Sequence, residues 1–146
     1  MGESDLFCNV YSFNSCSFRF GKLQVYWSQL PEGAQQRIET AILRCAKDFS
    51  AVSLTSFCTG CSEMKYKWFQ NAEVREKICN RIIQLYGTAG KYDERTLANL
   101  IYVLGKTGLT ADFIPKDVIQ VLESSIIKCA DSFISQHISN IFYGYE

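Results

Sequence analysis

The segment PKDVIQVLESSIIKCADSF, residues 115–133, decides the fold because it has the pattern of one amphipathic helix and a counterpart earlier in the chain. Proline is tolerated at the first position of a helix, where the N–H that it lacks would have no partner. Apolar side chains then recur at the spacing of a helix rather than at the alternation of a strand. The face so formed carries Val118, Val121, Leu122, Ser125, Ile126, Cys129 and Phe133.

The counterpart is PEGAQQRIETAILRCAKDF, residues 31–49, which also begins with proline and also carries one apolar face. A shift of 84 residues brings the two segments into register and continues without a break into the following segment. The superposed pairs are Cys45/Cys129, Ala46/Ala130, Phe49/Phe133, Leu54/Ile138, Phe57/Ile141 and Gly60/Gly144. Self-similarity at a fixed period is the sequence signature of a repeat architecture.

Shorter shifts divide this period in two. A shift of 41 brings LANLIYVLG, residues 97–105, onto ISNIFYGYE, residues 138–146, and shifts of 40 and 44 relate the helices between. Each repeat of 40–44 residues is therefore predicted to be a pair of helices. The first helices are predicted over Asp5–Phe18, Ala51–Trp68, Glu94–Leu109 and Ser135–Glu146, and the second over Pro31–Phe49, Ala72–Ala89 and Pro115–Phe133.

These repeats predict an all-α fold, an α-solenoid of about three antiparallel helix pairs plus an unpaired terminal helix, because stacked pairs bury the face that one pair leaves exposed. Residues 1–146 would form one domain, with repeats at about 5–49, 51–89, 94–133 and, in part, 135–146. The pattern favours a segment of a longer array, with remaining repeats or a protein partner at the open C-terminal end.

Composition limits the classes of function. Of 146 residues, 47% are apolar, and Lys+Arg equals Asp+Glu at 15 each, so the basic surplus typical of nucleic-acid binders is missing. No apolar run reaches the length needed to span a membrane, and the N-terminus has the pattern of neither a signal nor a transit peptide. Seven cysteines within apolar segments favour free, buried thiols in a reducing compartment.

The spacing Cys58-x-x-Cys61 suggests either a zinc or redox site or two core side chains. Under a shift of 43 these cysteines meet Ile101 and Leu104, and a zinc site would need two further ligands. We therefore expect core positions, with Gly60 allowing a close helix neighbour. An enzyme using these thiols ranks third among the hypotheses, and no catalytic group, metal or cofactor is expected.

Three other motifs favour structural interpretations. The sole histidine, His137, is expected to face solvent in the first turn of a helix. The glycines Gly87 and Gly90 lack the spacing of a phosphate loop and are expected to end a helix, with Asp93 capping the next. The KYKW stretch, residues 65–68, is expected to be a solvated helix end, although its lysines could touch a phosphate backbone.

The stretches DERTLANLIYVLGKTGL and SQHISNIFYGYE share an Asn-Leu/Ile-x-Tyr core followed by a glycine-containing turn. This pattern resembles the first helix of octotricopeptide and heptatricopeptide repeats. It is also similar to the repeats that precede RAP domains in organellar RNA-binding proteins, including mitochondrial proteins like the Fas-activated serine/threonine kinase. The resemblance covers residues 31–146 and is closest at 93–109 and 135–146. The 146 residues contain no recognisable RAP segment.

The resemblance implies a non-enzymatic module that binds single-stranded or ribosomal RNA, in mitochondrial or plastid RNA metabolism or in an organellar ribosome. Outside that resemblance, the chain would be assigned to the cytoplasm. The RNA contacts it implies are Arg95, Asn99, Tyr102, Lys106, Gln136, Asn140 and Tyr143. Asparagine can pair with base edges, tyrosine can stack, and Arg and Lys can hold phosphates.

Two alternatives remain open for these residues and for the chain. The asparagines could bond a neighbouring helix, and the tyrosines could be half-buried packing residues. The whole array could be a HEAT- or armadillo-like scaffold for proteins, without RNA contact. The charge of the face that carries Arg95 and Lys106 distinguishes the two functions, since clustered cations favour RNA and an apolar or acidic face favours protein.

Overall fold

The computed structural model describes residues 23–87 and 93–146, which form six α-helices and no strand. The helices are α1 Glu32–Cys45, α2 Ala51–Glu63, α3 Ala72–Gly87, α4 Glu94–Lys106, α5 Lys116–Cys129 and α6 Ser135–Tyr145. The prediction of an all-α fold is confirmed over these residues. The predicted helix Asp5–Phe18, and the turn glycine Gly90, lie outside them.

The local structure repeats with the period found in the sequence. Pro31 and Pro115 each occupy the N-cap of a 14-residue helix, α1 and α5. Each helix is followed by a three-residue 3-10 turn, Ala46–Asp48 and Ala130–Ser132. The helices α2 and α6 then begin 84 residues apart. The repeated residues therefore form the same succession of elements.

Side-chain caps explain where two of the other helices begin. The Asp93 carboxylate accepts a hydrogen bond from the Thr96 N–H at 2.6 Å, so its predicted role as the N-cap of α4 is confirmed. Ahead of α3, the Asn71 side-chain oxygen accepts from the N–H groups of Glu73 and Val74 at 3.1 and 3.2 Å. Each cap supplies a partner to a backbone donor that the helix itself leaves unpaired.

The C-terminal ends of α2 and α4 lie earlier than predicted, and both ends have the same geometry. Lys65 (φ 57°) and Gly108 (φ 79°) adopt the left-handed conformation that reverses the chain after a helix. The residue that follows each of them bonds back to the helix. The Tyr66 N–H donates to the Cys61 carbonyl at 2.8 Å, and the Leu109 N–H donates to the Leu104 carbonyl at 3.4 Å. The prediction that α2 extends to Trp68 is wrong because this turn ends the helix at Glu63.

The KYKW stretch is accordingly a connection between helices rather than a solvated helix end. Its lysines, Lys65 and Lys67, are exposed, but Tyr66 and Trp68 are buried in the core. The Tyr66 ring stacks on Trp27 with centroids 3.9 Å apart, and its hydroxyl donates to the Glu39 carboxylate at 3.0 Å.

The helices pack in two rows. In the first row α4 lies between α2 and α6, and in the second row α3 lies between α1 and α5. The core between them contains the largest fully buried side chains, which are Trp68, Tyr86, Phe49, Phe57 and Phe69. A polar contact also joins α3 to the connection that follows α1, since the Arg81 Nε donates to the Phe49 carbonyl at 2.7 Å.

Two helices of the first row approach each other closely at a pair of glycines. A Cβ added to Gly105 would lie 2.7 Å from the Gly144 Cα, and one added to Gly144 would lie 2.6 Å from the Ile101 Cγ2. Neither distance is accessible to a real side chain, so the absence of a side chain at both positions lets the backbones of α4 and α6 touch.

The cysteines differ from the prediction at one position. Cys58, Cys61, Cys79 and Cys129 are free thiols, but Cys45 is disulfide-bonded, so the expectation of uniformly free thiols is wrong for that residue. Among the described residues, no helix is long and apolar enough to cross a membrane.

Candidate nucleic-acid interface

The seven residues implied to contact RNA lie on corresponding faces of two adjacent helices. On α4 they are spaced at intervals of four, three and four residues, and on α6 at four and three, so each set follows one helix face. The amides and aromatic rings of the two helices then meet across the α4–α6 contact. We call this surface the amide–tyrosine row, consisting of Arg95, Asn99, Tyr102, Lys106, Gln136, Asn140 and Tyr143.

A chain of amide hydrogen bonds forms one part of the row. The Gln136 Nε2 donates to the Asn140 Oδ1 at 2.9 Å, and the Asn140 Nδ2 donates to the Asn99 Oδ1 at 3.0 Å. The last of these bonds links α6 to α4. The interpretation that the asparagines bond a neighbouring helix therefore holds, and the partner is a side chain rather than backbone.

The two tyrosines form the next part of the row. The rings of Tyr102 and Tyr143 lie 4.7 Å apart between centroids, with an interplanar angle of 36°. Tyr102 is half-buried, whereas about half of Tyr143 is exposed. The pair therefore packs the helices together and also presents aromatic surface to solvent. Since Asn99 meets Asn140 and Tyr102 meets Tyr143 in the same order, α4 and α6 run in the same direction.

The charged residues of the row are few. Lys106 lies 3.4 Å from the Glu63 carboxylate of α2, with both side chains exposed. Arg95 is exposed in the first turn of α4. Nearby, hydrogen bonding from the Thr96 N–H, helped by the Arg95 charge, lowers the pKa of the Asp93 carboxyl below its usual value. The row is therefore mainly neutral, polar and aromatic.

A cavity of about 700 Å³ lies beside the row, where α2 and α4 end. Its lining includes three lysines, Lys65, Lys67 and Lys106, together with the ring of Tyr26 and the carboxylate of Glu63. The KYKW motif by itself does not indicate that Lys65 and Lys67 lie near Lys106. The left-handed turn at Lys65 is what brings them near Lys106, and no local pattern marked that turn.

His137 is buried, contrary to the prediction that it faces solvent. The Ile134 N–H donates to its Nδ1 at 3.3 Å, and its ring lies edge-on to Phe133 with centroids 6.0 Å apart. The imidazole thus caps the start of α6 from within the first turn. Its neighbour in sequence, Gln136, is exposed and belongs to the amide–tyrosine row.

The cysteines of the Cys-x-x-Cys motif lie in the core at the positions predicted from the repeat register. Burial is the main cause that raises the pKa of both Cys58 and Cys61 far above the ordinary range, so neither thiol is available as a thiolate near neutral pH. Within residues 23–87 and 93–146, no group of three or more His, Cys, Asp or Glu side chains could hold a metal ion.

Comparison of the chain with protein-family models, with curated proteins and with solved structures finds no match. The resemblance to organellar RNA-binding repeats therefore rests on the Asn-Leu/Ile-x-Tyr motifs of this sequence. The structure adds the contact that those motifs make with each other, between α4 and α6.

Proposed function

We propose that the chain is a non-enzymatic α-solenoid module of antiparallel helix pairs that binds single-stranded RNA along the amide–tyrosine row. The two rows of helices, the recurrence of elements after 84 residues and the paired ends of α2 and α4 support the solenoid. The resemblance extends the proposal to ribosomal or other RNA in a mitochondrion or plastid.

The observation that carries the RNA proposal is the continuity of the row across α4 and α6. Asn99 and Asn140, and then Tyr102 and Tyr143, are in contact in the same order on both helices. A strand lying across the helices would thus meet the same chemistry at each step. Bases with free faces stack on aromatic rings, and free base edges bond amides.

The charge of the region sets what kind of binding to expect. Arg95 and Lys106 in the row, with Lys65 and Lys67 in the adjoining cavity, give four cations, and Glu63 lies against one of them. Each phosphate neutralised on a single strand contributes about 0.7 to the slope of log K against log salt, so the slope should be at most roughly 3. Stacking, at about 1–3 kcal/mol per base, should provide a larger share of the binding free energy.

The experiment is a titration of fluorescein-labelled 12-nucleotide RNA with the full chain, followed by fluorescence anisotropy between about 20 and 200 mM salt. Tyr143→Ala should weaken binding by roughly 5- to 150-fold, since it removes one stacking partner. Tyr145→Ala is the matched control, because it also removes a half-exposed tyrosine from α6, on a different face. Its affinity should stay within twofold of the wild type.

Two results would contradict the proposal. The first is absence of binding at the lowest salt concentration. The second is an equal loss for Tyr143→Ala and Tyr145→Ala, which would mean that the row has no special part in any RNA affinity.

A protein-binding scaffold is the second candidate function. It is favoured by exposed apolar side chains on α6, among them Phe142, which lie outside the amide–tyrosine row. RNA and protein would then use different faces of the same helix, so the two functions are compatible.

A further inference from the structure

A strip of large apolar side chains runs along the whole of α6 on a face that no other described helix covers. Ile134, Ile138, Phe142 and Tyr145 follow one another at intervals of four, four and three residues. Their exposed fractions are 60, 47, 74 and 50%. We call these four residues the end strip. The opposite side of α6, with Ile141 and His137, is buried against the rest of the molecule.

The repeat register identifies what this strip is. The shift of 41 residues that aligns α4 with α6 brings Leu97 onto Ile138, Ile101 onto Phe142 and Leu104 onto Tyr145. The α4 residues are 0, 3 and 4% exposed. The end strip is therefore the copy, on α6, of a surface that α4 uses to pack against other helices.

The helix before α4 shows the same arrangement. A shift of 43 residues places Leu54, Cys58 and Cys61 of α2 at these three positions, and all three are buried. This surface is therefore buried on two of the three first-row helices, α2 and α4. Only on α6 is it exposed.

The elements that lie over this surface of α4 are α5 and α6, which both contact α4. A cavity of about 180 Å³ is lined by Ile101 and Leu104 of α4, by Ile119 and Leu122 of α5 and by Gly144 at the end of α6. Within α5, Val118 and Leu122 form a buried stripe at a spacing of four residues. A second-row helix with an aliphatic stripe is therefore what such a surface receives.

Charge indicates which class of ligand fits the end strip. The helix α6, SQHISNIFYGY, contains no Asp, Glu, Lys or Arg, unlike each of the other five described helices. The end strip offers an anionic nucleic acid neither a cation nor an amide, unlike the amide–tyrosine row, whereas an apolar helix face buries no charge when it covers this strip.

We propose that the end strip docks an amphipathic α-helix of another polypeptide, with aliphatic side chains four residues apart as in Val118 and Leu122. The docked helix lies on α6 as α5 lies on α4. A second-row helix of another copy of this chain is not the occupant, because the stripes of α1, α3 and α5 already lie against their own core. The proposal does not depend on RNA binding, which uses Tyr143 and the amides.

The test uses a fluorescein-labelled synthetic peptide of residues 113–133, which contains the stripe of α5, titrated with the full chain. Such a short peptide is only marginally helical alone and would fold as it docks. We expect saturable binding that Phe142→Asp weakens at least tenfold. Val52→Asp is the matched control, because Val52 is a similarly exposed apolar residue (65%) on α2, and its affinity should stay within twofold. A peptide with Leu122→Asp should not bind.

The proposal is overturned if the peptide shows no saturable binding, or if Phe142→Asp and Val52→Asp change the affinity equally. It is also overturned if sedimentation velocity shows a dimer of the full chain that Phe142→Asp dissociates, because the occupant is then a second copy. Far-UV circular dichroism of each variant verifies that the helices are intact, so a lost affinity reports on the strip.

Discussion

Replacing Gly144 with alanine should force α6 away from α4. The added Cβ would clash with the Ile101 carbonyl oxygen and lie 2.6 Å from the Ile101 carbonyl carbon. Both are backbone atoms, which cannot rotate aside as the end of a flexible side chain can. Relief therefore requires that the helices separate, which also strains the bond between Asn99 and Asn140.

The magnitude follows from the distances. Carbon atoms in contact lie about 3.5–4.0 Å apart, so a contact at 2.6 Å requires a shift of about 1 Å. Overpacking of this kind costs about 1–3 kcal/mol. Alanine recovers up to about 1 kcal/mol through its higher helix propensity. Because the clash is with backbone atoms, its cost should lie in the upper part of that range, about 2–3 kcal/mol. The net loss for Gly144→Ala should then be about 1–2 kcal/mol, or a decrease in Tm of about 2–8 °C.

The assay is urea unfolding followed by circular dichroism, in which the midpoint should fall at unchanged m-value. Gly33→Ala is the control, since Gly33 also lies within a helix, α1, but a Cβ built there has no atom within 4 Å apart from its chain neighbours and the backbone of its own helix. That variant should gain about 0.5–1 kcal/mol. If Gly144→Ala is as stable as the wild type, the close helix contact does not exist in solution.

A double-mutant cycle with Gly105→Ala tests the same contact independently. A Cβ on Gly105 would lie 2.7 Å from the Gly144 Cα, so both substitutions separate the same two helices. Once one substitution has moved α6, the second should cost less, and the double variant should lose less stability than the sum of the single ones. Strict additivity would mean that the two glycines act at separate contacts.

Three further outcomes are expected. Lys65→Gly should stabilise the chain by about 1 kcal/mol in urea unfolding, because glycine adopts a positive φ without steric cost. Gly108→Ala should destabilise the chain by a similar amount, and variants as stable as the wild type would contradict this reasoning. Burial raises the pKa of the Cys79 thiol from 9.0 to about 11, so the folded state holds this proton more tightly than the unfolded state. The contribution of this thiol to the free energy of unfolding is present below pH 9 and is lost as the pH rises to 11, by up to about 1.4 kcal/mol per pH unit. In unfolding experiments across this pH range, Cys79→Ala should reduce the loss of stability with rising pH. At pH 8, iodoacetamide should label Cys58 and Cys61 only in urea, as followed by mass spectrometry, and rapid labelling of the folded chain would contradict their burial.

The helices could be predicted from the sequence because their signals are local. Apolar spacing within one helix, proline at Pro31 and Pro115, and the acidic cap Asp93 each act within a few residues. The repeat register added the core positions of Cys58 and Cys61, because equivalent places in a stack have equivalent neighbours.

The sequence around the end of α2 does not indicate its position, because lysine gives no local signal for a left-handed turn. Lys65 is 43 residues before Gly108, however, so the register that relates Cys58 to Ile101 also aligns Lys65 with that glycine. His137 was misplaced for a related reason. Its burial depends on the Ile134 N–H and the Phe133 ring, and a hydrophilic residue in a first turn is more often at the surface.

The candidate site could be predicted only in part. Helical spacing was sufficient to place Asn99 with Tyr102, and Asn140 with Tyr143, on shared faces. The contacts between the two sets depend on how closely α4 and α6 approach, which is a tertiary property set at Gly144. The lysine-lined cavity likewise joins residues distant in sequence, and the expectation of RNA binding stays a prediction.

The hydrogen bond between Asn99 and Asn140 also opposes sliding of α6 along α4. A slip of one helical turn, about 5.4 Å, would bring Asn140 level with Val103 instead of Asn99. The Asn99 Oδ1 and the Asn140 Nδ2 would then lose each other as partners, whereas the Asn140 Oδ1 would keep its bond from Gln136. Leaving a buried polar group without its partner costs about 1–3 kcal/mol, and these half-buried amides would lose up to that amount. A purely apolar contact would distinguish less sharply between such positions. This amide pair therefore fixes one register between the neighbouring helices α4 and α6.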